Sequence, residues 1–149
     1  MVDYSFEYDK ESGITTCIIT DKQGRVFTGF AACHPDDRDM MAEYTGKQIA
    51  EMRAIIKLLR DIRDNDLRPQ IKALRMLHTN MSQSKHFNPK SYENIMLCRA
   101  LKQKEGELAE IINMISQEQN DLRTFIREKE KAYQSVRRHR AETAQQGQK

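Results

Sequence analysis

The feature that most constrains this fold is a long stretch after Pro89 that holds no further proline and a single glycine, Gly106, in its interior. Asn88 is a good N-cap, and Pro89 suits the first helical turn, where its missing N–H would have no partner. The pattern therefore predicts one very long helix over residues 89–144, followed by a disordered tail over residues 145–149.

Apolar residues repeat every seven positions along this stretch. The main series holds Leu101, Leu108, Ile115 and Leu122, then Val136 after Lys129, and a companion series holds Ile112, Ile126 and Tyr133. A single helix cannot bury such a seam alone, so it needs a partner helix. We therefore expect a homodimer formed through helices.

Residues 1–34 are expected to form a small antiparallel sheet. Strand-favouring residues cluster over 15–20, and residues 25–31 have the composition of a strand that returns after a turn. The Asp-Lys-Gln-Gly sequence between them is a turn in which Gly24 can adopt a positive φ. An earlier strand over residues 4–8 would extend this hairpin to a meander. A sheet this small is only marginally stable alone, so it should lie against a helix.

Residues 36–81 carry apolar side chains at helical spacing, which predicts a second helical segment. Asp36 or Asp37 can cap its start. Pro69 lacks an N–H and disfavours a helix at the preceding residue, so we expect a kink or a break there. The chain, 1–149, is thus predicted to be one α+β domain, with a small antiparallel sheet packed on a kinked helix and a very long C-terminal helix.

The net charge of +3 conceals an asymmetry. Residues 1–40 hold four Lys or Arg and eight Asp or Glu, a balance of −4, so the remainder carries +7. A basic helical part suits an anionic ligand, but the excess is modest for a DNA-binding protein. No apolar run approaches the ~20 residues of a membrane span, and the N-terminus lacks a signal-peptide core. We therefore expect a cytosolic protein.

The three cysteines are Cys17, Cys33 and Cys98. An odd and widely spaced set does not make a disulfide framework. Free cysteine is among the most frequently buried residue types. We therefore expect three buried free thiols.

No motif in the chain indicates catalysis. The glycines are scattered, and neither His-Glu-x-x-His nor Cys-x-x-Cys occurs. Cys33-His34 could be combined with His78 or His86, but adjacent ligands without a second pair are poor zinc spacing. The aspartates around residue 37 are explained more simply by helix capping. We predict a protein that is not an enzyme and that holds no metal or cofactor.

The binding signal lies in arginines and aromatic residues. A guanidinium group holds phosphate in bidentate fashion, and an aromatic ring can stack on a base. The candidates on the long helix and at its start are Phe87, Asn88, Tyr92, Arg99, Arg123 and Arg127, and Arg60 and Arg63 lie beside the predicted kink. For each arginine a solvated or ion-paired surface position remains an alternative. Phe87 could equally pack the loop against the preceding helix.

Several blocks between Thr15 and Arg138 together resemble one family. They are Ala32-Cys33-His34-Pro35-Asp36-Asp37, Gly46-x-Gln48-Ile49-Ala50-Glu51-x-Arg53-Ala54, Arg63-Asp64-Asn65-x-Leu67-x-Pro69-Gln70, Phe87-Asn88-Pro89-Lys90-Ser91-Tyr92-Glu93 and Ile126-Arg127-Glu128-Lys129-Glu130-Lys131. Taken together, they resemble the first-described Thoeris anti-defence sponge family of phages.

The resemblance implies a small β-sheet and long helices that form homodimers, with some members assembling further into hexamers. It implies binding of a cyclic ADP-ribose isomer made by bacterial TIR-domain immune proteins in the host cell cytoplasm. The signal is held intact, so the downstream effector never fires. Some members also bind cyclic oligonucleotide signals, such as cyclic di- or trinucleotides, at a separate site.

Residue roles in this chain are assigned on chemistry and placement. Phe87 or Tyr92 is expected to stack on adenine, and Asn88 to bond a ribose or phosphate oxygen. The pyrophosphate is assigned to Arg99, Arg123 and Arg127. The second, cyclic-oligonucleotide site is assigned to Arg60 and Arg63.

Two other functions remain open on the sequence. The basic tail Arg137-Arg138-His139-Arg140 beside the heptad seam would suit a helical dimer that binds nucleic acid or acts as a structural or interaction protein. The modest charge excess makes nucleic acid the weaker partner. A phosphodiesterase-like enzyme would need metal ligands or a general base that the sequence does not show.

Overall fold

The computed structural model describes residues 2–32 and 43–147. Three strands are followed by helices, which confirms the predicted α+β class. The elements are β1 (Asp3–Asp9), β2 (Ile14–Thr20), β3 (Val26–Ala32), α1 (Glu43–Asp61), a π-helical segment (Ile62–Leu67), α2 (Arg68–Ser82) and α3 (Tyr92–Gly147). Asp36 and Asp37, the predicted caps, lie outside the described residues.

The chain divides into two compact units. The sheet unit holds Met1–Lys57 and Gln117–Lys149, and the hairpin unit holds Leu58–Ser116. The sheet and most of α1 therefore belong to the first unit, and α2 to the second. No described helix is long and apolar enough to cross a membrane.

The three strands form an antiparallel meander in the order β1-β2-β3, so the predicted third strand is present. Gly24 has a φ of 80°, as the turn prediction required. The Asp21 carboxylate fixes this turn: it accepts hydrogen bonds from the backbone N–H groups of Gln23 and Arg25, both at 2.9 Å, and from Arg25 Nε at 2.6 Å. An aspartate that bonds its own following backbone is typical of such turns.

One face of the sheet packs on α1. In β2 the alternate residues Thr15, Cys17 and Ile19 are buried, as period-2 geometry requires for a half-covered strand. Gly29 of β3 lies directly against the α1 backbone at Ala50 and Ala54. The small side chains of α1 and the missing one at position 29 allow this close approach.

The cysteines behave differently from the prediction. Cys17 is buried, and burial, followed by the nearby carboxylate of Glu51, raises the pKa of its thiol. Cys98 is exposed, so the expectation of a buried thiol was wrong there. It directly follows the buried Leu97, and the next position on a helix points to a different side. Cys33 lies outside the described residues.

The interruption predicted near Pro69 is a π-helical segment and not a break. Arg68 remains helical, with φ −60° and ψ −45°, although a proline follows it. Its N–H bonds the carbonyl of Arg63, five residues back. Pro69 then occupies the first turn of α2, where its missing N–H is tolerated. The extra residue of the π turn keeps the chain helical up to the proline.

The long helix begins later than predicted. Asn88 does not cap it: its Oδ1 accepts the Lys90 N–H at 3.0 Å, and its carbonyl accepts the Ser91 N–H. These bonds close a turn that contains Pro89. The helix starts at Tyr92, and Ser91 caps it by accepting the Asn94 N–H at 3.3 Å.

The C-terminal end also differs from the prediction. The helix continues to Gly147, so residues 145–147 are helical rather than disordered. Alanine, glutamine and glutamate near this end are good helix formers, which favours the longer helix. Residues 148–149 lie outside the described part of the chain.

The heptad seam is partly covered within the single chain. Ile115 is buried, and Leu101, Leu108 and Leu122 are half-buried. An ion pair between Arg75 and Glu105 joins α2 to α3 at 2.8 Å, as expected for a helical hairpin. Ile112 and Val136 of the two series are 40% and 39% exposed, so intrachain contacts cover only part of the seam and the homodimer stays a prediction.

Candidate functional site

A groove of about 680 Å³ runs along one side of α2, inside the hairpin unit. We call it the α2 groove. Its lining residues are Arg68, Ile71, Lys72, Arg75, Met76, Thr79 and Asn80 of α2 and Leu108 of α3. Its volume falls in the range of ~300–1,000 Å³ that is usual for small-molecule sites.

Helical spacing explains why three cations share this groove. Arg68, Lys72 and Arg75 stand at positions i, i+4 and i+7, which lie on one face of an α-helix. The α-helical geometry needed for this alignment begins directly after the π-helical segment, at Arg68. Thr79 continues the same row by a further four residues. The side of α2 that faces the groove is therefore basic along most of its length.

Two of these cations already have exposed anionic partners. Arg68 Nη1 lies 2.8 Å from Asp64 Oδ1, and Arg75 Nη2 lies 2.8 Å from Glu105 Oε1. Exposed pairs of this kind typically contribute only about 0–1 kcal/mol, so a ligand anion can replace the carboxylate. Lys72 forms no hydrogen bond or ion pair with any residue in the described ranges. It is the cation most readily available to an incoming anion.

The floor of the groove is apolar. Ile71 is buried, Leu108 is half-buried, and Met76 is 57% exposed although it is a large hydrophobic residue. A methionine thioether makes favourable contacts with aromatic rings. Thr79 donates its hydroxyl to the Arg75 carbonyl at 2.9 Å, which leaves the hydroxyl lone pairs as acceptors. Cations beside an apolar floor suit a ligand that joins an anion to a ring.

The predicted aromatic and amide residues lie at the start of α3. Phe87 is half-buried, and its ring meets the His78 ring edge-on, with the centroids 6.4 Å apart. The packing alternative for Phe87 therefore describes what the ring does in this structure. Asn88 is exposed and uses its side-chain oxygen in the local turn. Tyr92 is 73% exposed, so its ring remains accessible.

The three arginines assigned to a pyrophosphate are divided between the units. Arg99 is exposed and lies in the hairpin unit with Phe87, whereas Arg123 and Arg127 are exposed on the part of α3 that belongs to the sheet unit. None of the three arginines forms an ion pair with a described residue. Neither unit by itself brings together all the residues that the sequence assigned to one ligand.

The residues assigned to a second nucleotide site surround Asp64. Arg63 binds Asp64 through two hydrogen bonds, Nε–Oδ1 at 2.8 Å and Nη2–Oδ2 at 3.0 Å. These bonds are the main reason that the pKa of Asp64 lies below its ordinary value, with further contributions from the charges of Arg68 and Arg60. Arg60 is exposed at the end of α1. An anion bound here would have to compete with Asp64 for Arg63.

Sequence reasoning missed the cations of the α2 groove. The i, i+4, i+7 spacing of Arg68, Lys72 and Arg75 could have identified this row. These residues flank Pro69, and the sequence around that proline was interpreted only as a kink or a break. Within residues 2–32 and 43–147, no group of three or more His, Cys, Asp or Glu side chains is placed to hold a metal ion. Cys33 and His34 lie outside these ranges, so their structural role stays a prediction.

The fold and the groove together define a class: an α+β protein with a three-stranded meander, a long helical hairpin and a basic groove along one helix. No protein-family model matches the chain, and neither a curated protein nor a solved structure shows a significant similarity to it.

Proposed function

We propose that this chain binds and sequesters a cyclic ADP-ribose isomer without degrading it, as a Thoeris anti-defence sponge does in the cytoplasm of an infected host cell. The observation that carries the proposal is the α2 groove, where three cations border an apolar floor. The ligand carries a pyrophosphate, two riboses and an adenine. Each of these parts has a chemical counterpart among the groove residues.

Lys72 and Arg75 are one helical turn apart and would hold the two phosphates. A hydrogen bond to a charged group contributes about 1.5–3 kcal/mol, which makes these contacts the main source of affinity. The adenine would lie on the exposed Met76, whose thioether contact with an aromatic ring is worth about 0.3–1.5 kcal/mol. Thr79 would accept a hydrogen bond from a ribose hydroxyl, and the Asn80 amide could both donate to and accept from ribose hydroxyls.

The residues assigned from the sequence supply a different binding geometry for the same ligand. Phe87 or Tyr92 would stack on adenine, Asn88 would bond an oxygen, and Arg99 would hold a phosphate within the hairpin unit. Arg123 and Arg127, which belong to the sheet unit, are the other phosphate-binding candidates assigned from the sequence. With this geometry we also propose a homodimer, or a hexamer built from dimers. Sedimentation velocity measures the oligomeric state.

The test is calorimetric titration of the purified chain with the TIR-produced cyclic ADP-ribose isomer. Lys72→Glu reverses the charge of the available cation in the groove, and Lys22→Glu makes the same change at an exposed turn lysine. We expect Lys72→Glu to weaken binding at least about tenfold, or about 1.4 kcal/mol, and Lys22→Glu to leave it unchanged. Loss of binding in Arg123→Glu or Arg127→Glu, with Lys72→Glu unaffected, would favour the geometry assigned from the sequence.

Sequestration is tested by the fate of the ligand. After binding, the complex is heated to unfold the protein, and the released ligand is identified by mass spectrometry. Recovery of the intact isomer supports a sponge. Recovery of a cleaved product would show that the chain is a nucleotide-degrading enzyme and not a sponge. Absence of any heat of binding would refute nucleotide binding altogether.

The second nucleotide site is proposed at Arg60 and Arg63, for a cyclic di- or trinucleotide. Titration with a cyclic trinucleotide, in the presence of saturating cyclic ADP-ribose isomer, separates this site from the first. Arg60→Glu should abolish the additional heat, because Arg60 is the more exposed of the two arginines. Direct competition between the two ligands would show instead that they share one site.

A basic surface near the end of α3 favours a second candidate function, nucleic-acid binding. Lys131, Arg138 and His139 line one shallow surface of this helix, together with Glu142. Phosphate contacts of this kind give binding that falls steeply with salt. A gel-shift experiment with duplex and single-stranded DNA and RNA tests it. Retention at moderate salt that Arg138→Glu removes would favour a nucleic-acid-binding protein.

A further inference from the structure

Strand β1 carries an aromatic row that the rest of the molecule leaves half-covered. Tyr4, Phe6 and Tyr8 lie directly opposite Ile19, Cys17 and Thr15 of β2, so both rows lie on the same face of the sheet. The β2 residues are buried, whereas the three rings are 49%, 36% and 47% exposed. The buried face of the sheet therefore continues to its edge as an accessible aromatic surface.

The opposite face of the same strand is acidic. Asp3, Glu7 and Asp9 alternate with the aromatic residues, and alternate residues of a strand point to opposite faces. All seven residues of β1 are exposed. One strand thus presents rings on one side and carboxylates on the other.

Among the described residues nothing pairs with the outer edge of β1, whereas the edge of β3 has a side-chain partner. On β3, the other edge strand, the carbonyl of Phe30 accepts a hydrogen bond from Arg53 Nη1 at 2.6 Å. In the described part of the chain, residues 3–8 form no hydrogen bond beyond their pairing with β2. An edge strand with free N–H and C=O groups is a template for a further strand.

From this arrangement we infer that β1 is a docking strand for an extended basic peptide, which adds to the sheet as a fourth strand. Backbone pairing supplies affinity, and the alternating side chains of the peptide supply specificity. Apolar residues of the peptide would contact Tyr4, Phe6 and Tyr8, and its lysines or arginines would face Asp3 and Glu7. Lys47 already lies over the Phe6 ring, with Nζ 5.6 Å from the ring centre, so this row also accepts cations.

Charge decides between a basic peptide and a second copy of this chain. If β1 paired with β1 of another copy, the carboxylates of the two strands would lie on one face, and like charges that face each other across a ladder are destabilising. A strand with alternating lysines turns the same carboxylates into ion pairs. The acidic face therefore disfavours self-pairing and favours a basic partner.

The test measures binding of a fluorescent seven-residue peptide in which valine and lysine alternate, by anisotropy with the full chain. A peptide with glutamate in place of lysine is the charge control, and one with its three lysines contiguous is the pattern control. We expect the alternating lysine peptide to bind at least about tenfold more tightly than either control, because both the charge and the period-2 pattern contribute.

Two chain variants localise the contact. Glu7→Lys reverses a charge on the acidic face, and Glu11→Lys makes the same change in the turn after β1. We expect Glu7→Lys to weaken binding about tenfold and Glu11→Lys to change it less than about twofold, since direct pairing falls off with distance. Hydrogen exchange should slow at the β1 amides when the peptide is bound.

Three results would overturn the inference. Equal weakening by Glu7→Lys and Glu11→Lys would reduce the contact to general charge attraction. Slowed exchange elsewhere, with β1 unchanged, would place the peptide on another surface. Loss of peptide binding as the protein concentration rises would show that a second copy occupies the strand instead. Circular dichroism of Glu7→Lys confirms that the variant remains folded.

Discussion

Gly29 and Gly106 make opposite predictions for the same substitution to alanine. A Cβ at Gly29 would lie 2.5 Å from the backbone nitrogen of Ala54 and closer still to the carbonyl oxygen of Ala50. Ordinary Cβ contacts begin near 3.4 Å, so β3 and α1 would have to separate by about 1 Å. Both contacting atoms are helix backbone and cannot rotate aside.

The cost follows from overpacking. Inserting one methyl into a well-packed interface typically costs about 1–3 kcal/mol, and backbone contacts place Gly29→Ala at or above the upper end. For a chain of this size, about 3 kcal/mol lowers the melting temperature by roughly 6–12 °C. At Gly106, on α3, a Cβ would meet no atom within 4 Å. Gly106→Ala should therefore stabilise the helix by about 0.5–1 kcal/mol, since alanine loses less backbone entropy.

Thermal unfolding followed by circular dichroism at the helix band measures both changes. Urea unfolding then supplies the free energies, and hydrogen exchange assigns each change to its unit, because the two glycines belong to different units. A Gly29→Ala midpoint equal to that of the parent would refute the close packing of β3 on α1. A Gly106→Ala variant that melts below the parent would show a contact on that side of α3.

Three further predictions concern ionisable groups. Partial burial alone would raise the pKa of Asp21, but hydrogen bonds from Arg25 and the turn N–H groups outweigh it and lower the pKa. The stability that the ionised carboxylate supplies is therefore present above about pH 4 and is lost as pH falls through the folded pKa. Asp21→Asn should thus reduce the fall of the urea midpoint between neutral and acid pH. Burial first, and nearby carboxylates second, raise the pKa of Glu118. Its charged form is therefore disfavoured in the folded state, and Glu118→Gln should raise the urea midpoint near pH 7 and leave it unchanged near pH 3. Maleimide labelling with peptide mapping should modify Cys98 in the native protein and Cys17 only after unfolding; equal rates would contradict the burial of Cys17.

The parts of the fold that local chemistry determines were predictable from the sequence. The Asp21 turn and Gly24 specify the hairpin, and the alternation in β2 specifies its buried face. The start of α3 was not predictable on the same grounds, because Asn88 and Ser91 are both good caps three residues apart. The structure resolves this competition in favour of Ser91, since Asn88 bonds the Lys90 N–H in a turn.

The seven-residue series on α3 shows what periodicity can and cannot establish. It identified the side of the helix that is covered, which includes the buried Ile115. It did not identify what covers that side, because a heptad series is satisfied equally by a helix of the same chain and by one of a second chain. The homodimer therefore stays a prediction, supported by the resemblance and by the exposed seam residues Ile112 and Val136.

At the candidate site too, spacing predicts which side of the helix the residues share but not what covers that side. Spacing alone places Arg68, Lys72 and Arg75 on one face of α2, but it does not say whether that face is covered. The structure adds that Ile71 is buried while Met76 remains accessible in the groove that the cations line. A basic row over an accessible apolar floor is a property of packing, which composition and periodicity do not contain.

The small net charge of +3 conceals two surfaces that suit opposite partners. The α2 groove of the hairpin unit is basic and suits an anion, whereas β1 of the sheet unit is acidic and suits a cation. Salt weakens both kinds of binding, so a salt titration cannot separate them. The charge reversals can: Lys72→Glu should weaken nucleotide binding and spare the basic peptide, and Glu7→Lys should do the reverse. Weakening of both ligands by either variant would show that the two surfaces do not act independently.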